Sequence, residues 1–319
     1  MPRKATLVEW LVFVALGVAW GSSYLFIKIG VETLTPFTLV AARLAIGAAV
    51  LVVVTAISRQ SMPRSWSPYL HLVVVALLGI VIPFSLITWG EQSIDSGLAA
   101  VLNGTVPLFA IVLAAMLLVD EPITINRLFG LLIGFAGVVI LTSPSLVGGS
   151  GSSLQGELAL IGAAAAYGAA GVYARRFVKD TRPMVSATLE VGYAFLIMLV
   201  LAILFGDPLA TRVEPSTVLS VAWLGLVGSG LAFLGFFFLL GRWGATRTSL
   251  VAYLLPVVGV VLGFVVRGEV IGLPVIAGML LIIGGVALAN SRFGHRPLIG
   301  RRPPQVSGEA TAQARDRAT

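Results

Sequence analysis

The stretch Trp20-Gly-Ser-Ser-Tyr-Leu-Phe-Ile-Lys28, continued by Pro36 and Arg43, decides the fold because it returns later in the chain. Trp20, Gly21, Lys28, Pro36 and Arg43 are matched by Tyr167, Gly168, Arg175, Pro183 and Glu190, each 147 residues on. Gly79 and Pro107 recur at a spacing of 149 as Gly228 and Pro256. Glu121, Gly130 and Gly137 recur at 148 as Glu269, Gly278 and Gly285. So small a drift over a whole half points to duplication.

The duplicated halves are nearly all apolar. Of 319 residues, 58% are hydrophobic and 11% charged, with a mean hydropathy of +1.01. A soluble domain carries about 25% charged residues and could not hide this much apolar surface. The composition is that of a polytopic membrane protein. The absence of cysteine excludes disulfides, thiolate metal sites and cysteine nucleophiles. Arg3 and Lys4 resemble the start of a signal peptide, but the apolar run from Leu7 to Gly30 is too long for one.

A spanning helix needs about 20 apolar residues. Ten candidates satisfy or approach that length: 7–30, 36–58, 68–89, 95–118, 126–142, 155–175, 185–205, 217–240, 246–267 and 272–290. Turn residues separate them, as in Asp120-Glu121-Pro122. The expected division is a first five-helix unit over 7–142, a Gly/Ser linker over 143–154, a second unit over 155–290 and a disordered tail over 297–319.

With the N-terminus inside, all but four of the 21 lysines and arginines fall on the cytoplasmic side. Lys28 and Arg43 lie within spans, and only Arg212 and Arg267 lie on the opposite face. This is positive-inside placement, with both termini cytoplasmic in a cell membrane. It accounts for the net charge of +7 through lipid headgroups, without nucleic acid. Five spans per half is an odd number, so the second half enters from the opposite side. The expected fold is all-α and integral to the membrane: ten helices as two inverted five-helix repeats, a plan shared by many secondary transporters.

Trp20 to Lys28, Pro36 and Ala42-Arg43-Leu44 resemble the first-helix signature of the EamA-type family in the drug/metabolite transporter superfamily. Asp120-Glu121-Pro122-Ile123-Thr124 with Gly130, Gly134 and Gly137 is similar to that family's acidic turn and glycine-rich fifth helix. Arg267-Gly268-Glu269 with Gly278, Gly284 and Gly285 resembles the second copy. The resemblance implies a ten-helix transporter with a central cavity, exporting amino acids or other small metabolites. Arg43 against Glu190 breaks the internal symmetry, so the halves are not expected to meet substrate alike.

Candidate site residues follow from position. Pro107 and Pro256 lie mid-span at matching places, where a missing N–H interrupts the helix; a packing kink is the alternative. Asn103 and Tyr253 lie near those breaks, and Trp20, Tyr24 and Tyr167 are candidate walls. Asn103 either grips substrate or hydrogen-bonds a neighbouring helix. Pro83 has no counterpart and reads as an ordinary kink. Arg43, Glu190 and Lys28 are charged within spans, where charge is costly. Arg43 either pairs with Glu32, Glu91 or Asp95, or serves substrate or coupling. Glu190 has the same choice with Arg175 or Arg176. Lys28 either snorkels or touches substrate. The glycine stripes suit close packing, including a homodimer face, and Glu121 and Glu269 suit the starts of the helices that follow them.

No cofactor or metal is expected. The two histidines, His71 and His295, and the lack of H-x-x-x-H or paired intramembrane aspartates argue against an intramembrane enzyme. A channel or scramblase shares the symmetry and is the remaining alternative to a carrier of a small-molecule substrate.

Overall fold

Within lipid, backbone N–H and C=O groups find no water, so apolar runs of this length fold as helices. The computed structural model describes residues 5–118, 121, 123–147, 151–178, 181–206, 213–291 and 297–299. Among them, nine helices are long and apolar enough to cross a membrane. These are α1 (Leu7–Gly30), α2 (Pro36–Ile57), α3 (Ser67–Gly90), α4 (Ser96–Leu117) and α5 (Ile125–Leu146) in the first half. In the second half they are α6 (Ser153–Phe177), α7 (Pro183–Phe205), α8 (Pro215–Trp243) and α9 (Ser249–Arg267). The shorter apolar α10 (Leu273–Ala289) completes ten.

Local chemistry sets the ends. Thr6 and Glu9 form a capping box at the start of α1. Prolines in the first turn begin α2, α7 and α10, where a missing N–H costs nothing. Gly268 adopts φ +66° and ends α9 in the left-handed region that glycine tolerates. The span expected over 126–142 is longer, because helix continues through Pro144 to the Gly/Ser run. Residues 143–147 and 151–154, expected in a linker, are helical, and 148–150 lie outside the described residues. Of the expected tail, Pro297–Ile299 pairs antiparallel with Ile123–Thr124, supplying a partner strand to the turn before α5; 300–319 lie outside the described residues.

The halves pack by exchange. α5 packs on α10, α2 on α7 and α4 on α9, each helix against its own repeat mate. The α1 contacts with α8 and α9 are repeated by α6 with α3 and α4. Mates run antiparallel. On α2 and α7, Thr55 meets Thr188 (hydroxyls 2.7 Å apart) while Phe37 meets Phe205 at the other end. On α5 and α10, Gly130 approaches Gly285 while Gly137 approaches Gly278. The repeats are therefore inverted. The glycine stripes face each other inside the chain, so Gly130, Gly137, Gly278 and Gly285 do not form an external dimer face. Long apolar side chains on the outer surfaces, such as Val53, Leu204 and Val265, are exposed as lipid-facing residues must be.

Candidate functional site

The irregular backbone gathers along the axis between the halves. Pro107 has no N–H to continue α4, which breaks at Gly104 and Thr105 after Asn103 and restarts at Val106. Thr105 Oγ1 donates to the Leu102 carbonyl at 2.6 Å and closes the turn. In α9 the matching place is a 3-10 turn over Ser249–Tyr253, with Pro256 in the α-helical turn that follows. The breaks meet: a Cβ on Gly104 would lie 3.0 Å from the Pro256 ring. α3 and α8 carry matching π-helical turns over Leu77–Val81 and Trp223–Leu231, which hold the repeated Gly79 and Gly228. Such turns often mark functional positions.

Beside these breaks is a cluster of buried polar groups. Arg43 is 4% exposed. Its Nε and Nη2 donate to Ser229 Oγ at 3.3 and 3.2 Å, and its guanidinium lies 4.2 Å from the Phe84 ring centroid. Tyr24, Tyr167 and Glu91 are within electrostatic reach of it. Tyr24 borders the Asn103 side chain. Thr88 and Glu91, one turn apart at the end of α3, are fully buried. Thr88 Oγ1, both Glu91 carboxylate oxygens and Asn103 Oδ1 have no hydrogen-bond partner among the described residues. Buried polar atoms are normally satisfied.

The ends of α1, α3, α4 and α9 form a rim beside this cluster, tied by further contacts. Lys28 Nζ donates to the Glu91 and Ile94 carbonyls, each at 2.7 Å, so it caps the end of α3. The Glu269 carboxylate accepts from Ser96 N and Oγ and from Gly97 N. Arg267 pairs with Glu32 at 2.5 Å. A cavity of about 60 Å³ lies between Asp95, Leu98, Glu269 and Val275. Burial raises the Asp95 carboxyl above its usual range, nearby Glu269 adds to this, and Lys28 and Arg267 oppose it.

The EamA-like transporter family model matches the chain twice, over residues 8–143 and 154–291. The chain belongs to the EamA-like transporter family. It is 30% identical over 259 residues to the uncharacterized inner membrane transporter YedA of Escherichia coli K12, covering 80% of this chain and 81% of that protein. It is 25% identical over 283 residues to the uncharacterized transporter YoaV of Bacillus subtilis, covering 89% and 97%. A solved crystal structure shares the fold with a TM-score of 0.64 at 23% identity, covering 90% of this chain and 99% of that one. This is a multi-pass membrane protein of a family of transporters, not of enzymes.

The EamA-like chain brings some expected residues together and separates others. Tyr24 lies beside Asn103, and Tyr24 and Tyr167 are within electrostatic reach of Arg43. Lys28 turns to the Glu91 and Ile94 carbonyls in the turn after α3. Of the partners considered for Arg43, Glu91 is within electrostatic reach without an ion-pair contact among the described residues, and Glu32 pairs with Arg267; the guanidinium bonds Ser229. Glu190 is not paired with Arg175 or Arg176, because the end of α6 leans toward α4 and α5. There Arg175 bonds Glu121, and Arg176 donates to the Leu117 carbonyl at 3.2 Å. Trp20 turns to α8, donating to the Gly228 carbonyl at 3.1 Å and packing on Phe236. The Tyr253 hydroxyl accepts from Asn290 Nδ2 at 3.3 Å, at the end of α10. Glu269 caps α4, a helix of the other half, rather than the helix that follows it.

Thr88, Ser229, Phe84 and Trp223 went unnoticed in the sequence. Trp223 donates to Ser22 Oγ at 3.0 Å and stacks on Phe26, bracing the bend in α1. Thr88-x-x-Glu91 beside the conspicuous Glu91 was the available signal for Thr88. For the others, unmarked π-turns in α3 (before Phe84) and α8 (holding Trp223 and Ser229) decide which side chains face inward.

Proposed function

We propose that this EamA-like chain is a secondary transporter moving a small zwitterionic or amphipathic metabolite, such as an amino acid, by alternating access across the cell membrane. The observation that carries this reading is the pairing of opposite unmet needs in one chamber. Among the described residues, Arg43 is a buried cation with no carboxylate at ion-pair distance, and Glu91, within its electrostatic reach, is a buried carboxyl group with neither oxygen hydrogen-bonded. A zwitterion supplies both complements: its carboxylate to Arg43 and its ammonium to Glu91. Tyr24 and Tyr167 offer aromatic walls, and Asn103 an orienting polar group. The inverted, antiparallel repeats give the chamber two equivalent routes out. Basic residues on the side of both termini support a cytoplasmic placement of those ends, and export is the direction the family likeness suggests.

The test is uptake and counterflow of radiolabelled amino acids by the purified full chain in liposomes. A carrier gives saturable uptake and accelerates exchange when unlabelled substrate is trapped inside. Flux that rises linearly with concentration and shows no counterflow would establish a channel instead.

A further inference from the structure

Glu269 holds more of the rim than a turn residue needs to. It sits beyond the end of α9, yet its carboxylate is bonded to the first turn of α4 in the other half. Oε1 accepts from Ser96 N at 2.9 Å and Ser96 Oγ at 2.7 Å, and Oε2 accepts from Gly97 N at 2.9 Å. A carboxylate at a helix start also meets the positive end of the helix dipole.

Three glycines make this reach possible. Gly268 turns the chain back through its left-handed conformation, and Glu269 N then donates to the Gly263 carbonyl at 3.1 Å. A Cβ at Gly263 would lie 2.1 Å from Glu269 Oε2, so any side chain there would expel the carboxylate. A Cβ at Gly97 would lie 3.2 Å from the same oxygen. The first repeat has no such device. At the spacing of 148 that relates Glu121 to Glu269, Gly263 corresponds to Ala115 and Gly268 to Asp120. The Glu121 carboxylate instead serves Arg127 of its own half and Arg175 at the end of α6 in the other. One rim is joined through backbone N–H groups reached by way of glycines, and the other through ion pairs between side chains.

We propose that Glu269 is the latch of the Lys28 rim: its hold on Ser96 and Gly97 sets the resting closure of the chamber on that face. The proposal rests on the alternating-access reading. To open that face, α4 must part from the α9–α10 turn, and these three hydrogen bonds are what must break. Lys28 closes the same rim but binds carbonyls of its own half, and Arg267–Glu32 joins two long side chains. Glu269 binds backbone of the other half directly, so it sets the spacing between the halves.

The experiment uses the full Cys-free chain in lipid nanodiscs, with spin labels on cysteines introduced at Gln92 and Val270, both exposed on this rim. In the otherwise unaltered chain the distance distribution should be dominated by one short, closed population. Glu269→Gln should shift it toward a longer distance, raising the open-to-closed ratio roughly tenfold, the scale of losing one charge-assisted contact. Ser96→Ala removes one bond of three and should shift the ratio the same way by less, which keeps the test informative if Glu269→Gln folds poorly. Glu121→Gln should leave this distance unchanged. Unchanged distributions in both Glu269→Gln and Ser96→Ala would overturn the latch, as would an equal shift from Glu121→Gln. Counterflow on the same proteins separates the two readings. Saturable transport with unresponsive distances rejects the latch alone, whereas absent counterflow in the unaltered chain rejects the carrier.

Discussion

Gly130 on α5 and Gly285 on α10 meet with no side chain between them. A Cβ on Gly130 would lie 2.5 Å from the Gly285 carbonyl oxygen, and one on Gly285 would lie 2.6 Å from that of Gly130. The repeat exchanges this contact with Gly137 against Gly278. In lipid there is little hydrophobic drive between helices, so this backbone approach is what holds α5 to α10. Gly130→Leu or Gly285→Leu should lower the melting temperature in detergent by forcing the helices apart, a cost of about 1–3 kcal/mol or more. Gly284→Ala, where nothing lies within 4 Å of the added carbon, should be close to neutral.

Arg43 contrasts with Arg267, the cation of the rim. Arg43 is buried on Ser229 and Phe84, whereas Arg267 is part-exposed and paired with Glu32. Arg43→Gln should reduce transport at least tenfold while leaving folded protein, because no ion pair is broken. Arg267→Gln should change stability by no more than about 1 kcal/mol, the scale of an exposed pair. Comparing melting curves with initial transport rates checks both. A lowered melting temperature with an unchanged rate in Arg43→Gln would make the guanidinium purely structural.

Asn103 and Tyr253 should separate in function. Asn103→Leu should weaken transport without loss of folded protein, since its Oδ1 has no partner to lose. Tyr253→Phe removes a bond to Asn290 and should leave substrate affinity unchanged. The readout is the concentration dependence of uptake for each variant.

Glu121 gives a pH signature. Burial would raise its carboxyl, but hydrogen bonds from Arg175 and Arg127 outweigh this and hold it below the usual carboxylate range. Because the folded-state value is depressed, the stabilisation is present above the unfolded value of about 4.3 and is lost as pH falls through the folded value. The melting-temperature difference between the unaltered chain and Glu121→Gln should be small near neutrality, reflecting about 1 kcal/mol or less for a part-exposed pair. It should vanish under strongly acidic conditions.

Much of the fold was legible because lipid leaves few choices. Apolar length gave the spans, and the spacing from Trp20 to Tyr167 and from Pro107 to Pro256 gave the duplication and the breaks. Parity then gave the inversion, which the antiparallel meeting of Thr55 with Thr188 and Phe37 with Phe205 displays. The site was legible only in part. Tyr24, Arg43, Asn103 and Tyr167 are polar or aromatic inside spans and stand out in the text of the chain. The direction a side chain takes around a helix does not. The Tyr253 hydroxyl went to Asn290 and the Trp20 indole to the Gly228 carbonyl, and Glu269 crossed to α4 because Gly268 reversed the chain. Partner choice for Lys28 and Arg43 depended on which carbonyl or hydroxyl the packed neighbour offered, which no spacing encodes.

The most direct measurement of the central claim is the reactivity of a single cysteine at position 103 toward a membrane-impermeant thiol reagent added from each face in turn, with and without transported substrate. The account predicts labelling from either face, with substrate gradients favouring one face at the expense of the other. A cysteine that stays unreactive from both sides through the whole transport cycle would contradict a chamber at Asn103. Labelling from both sides that substrate does not alter would contradict alternating access.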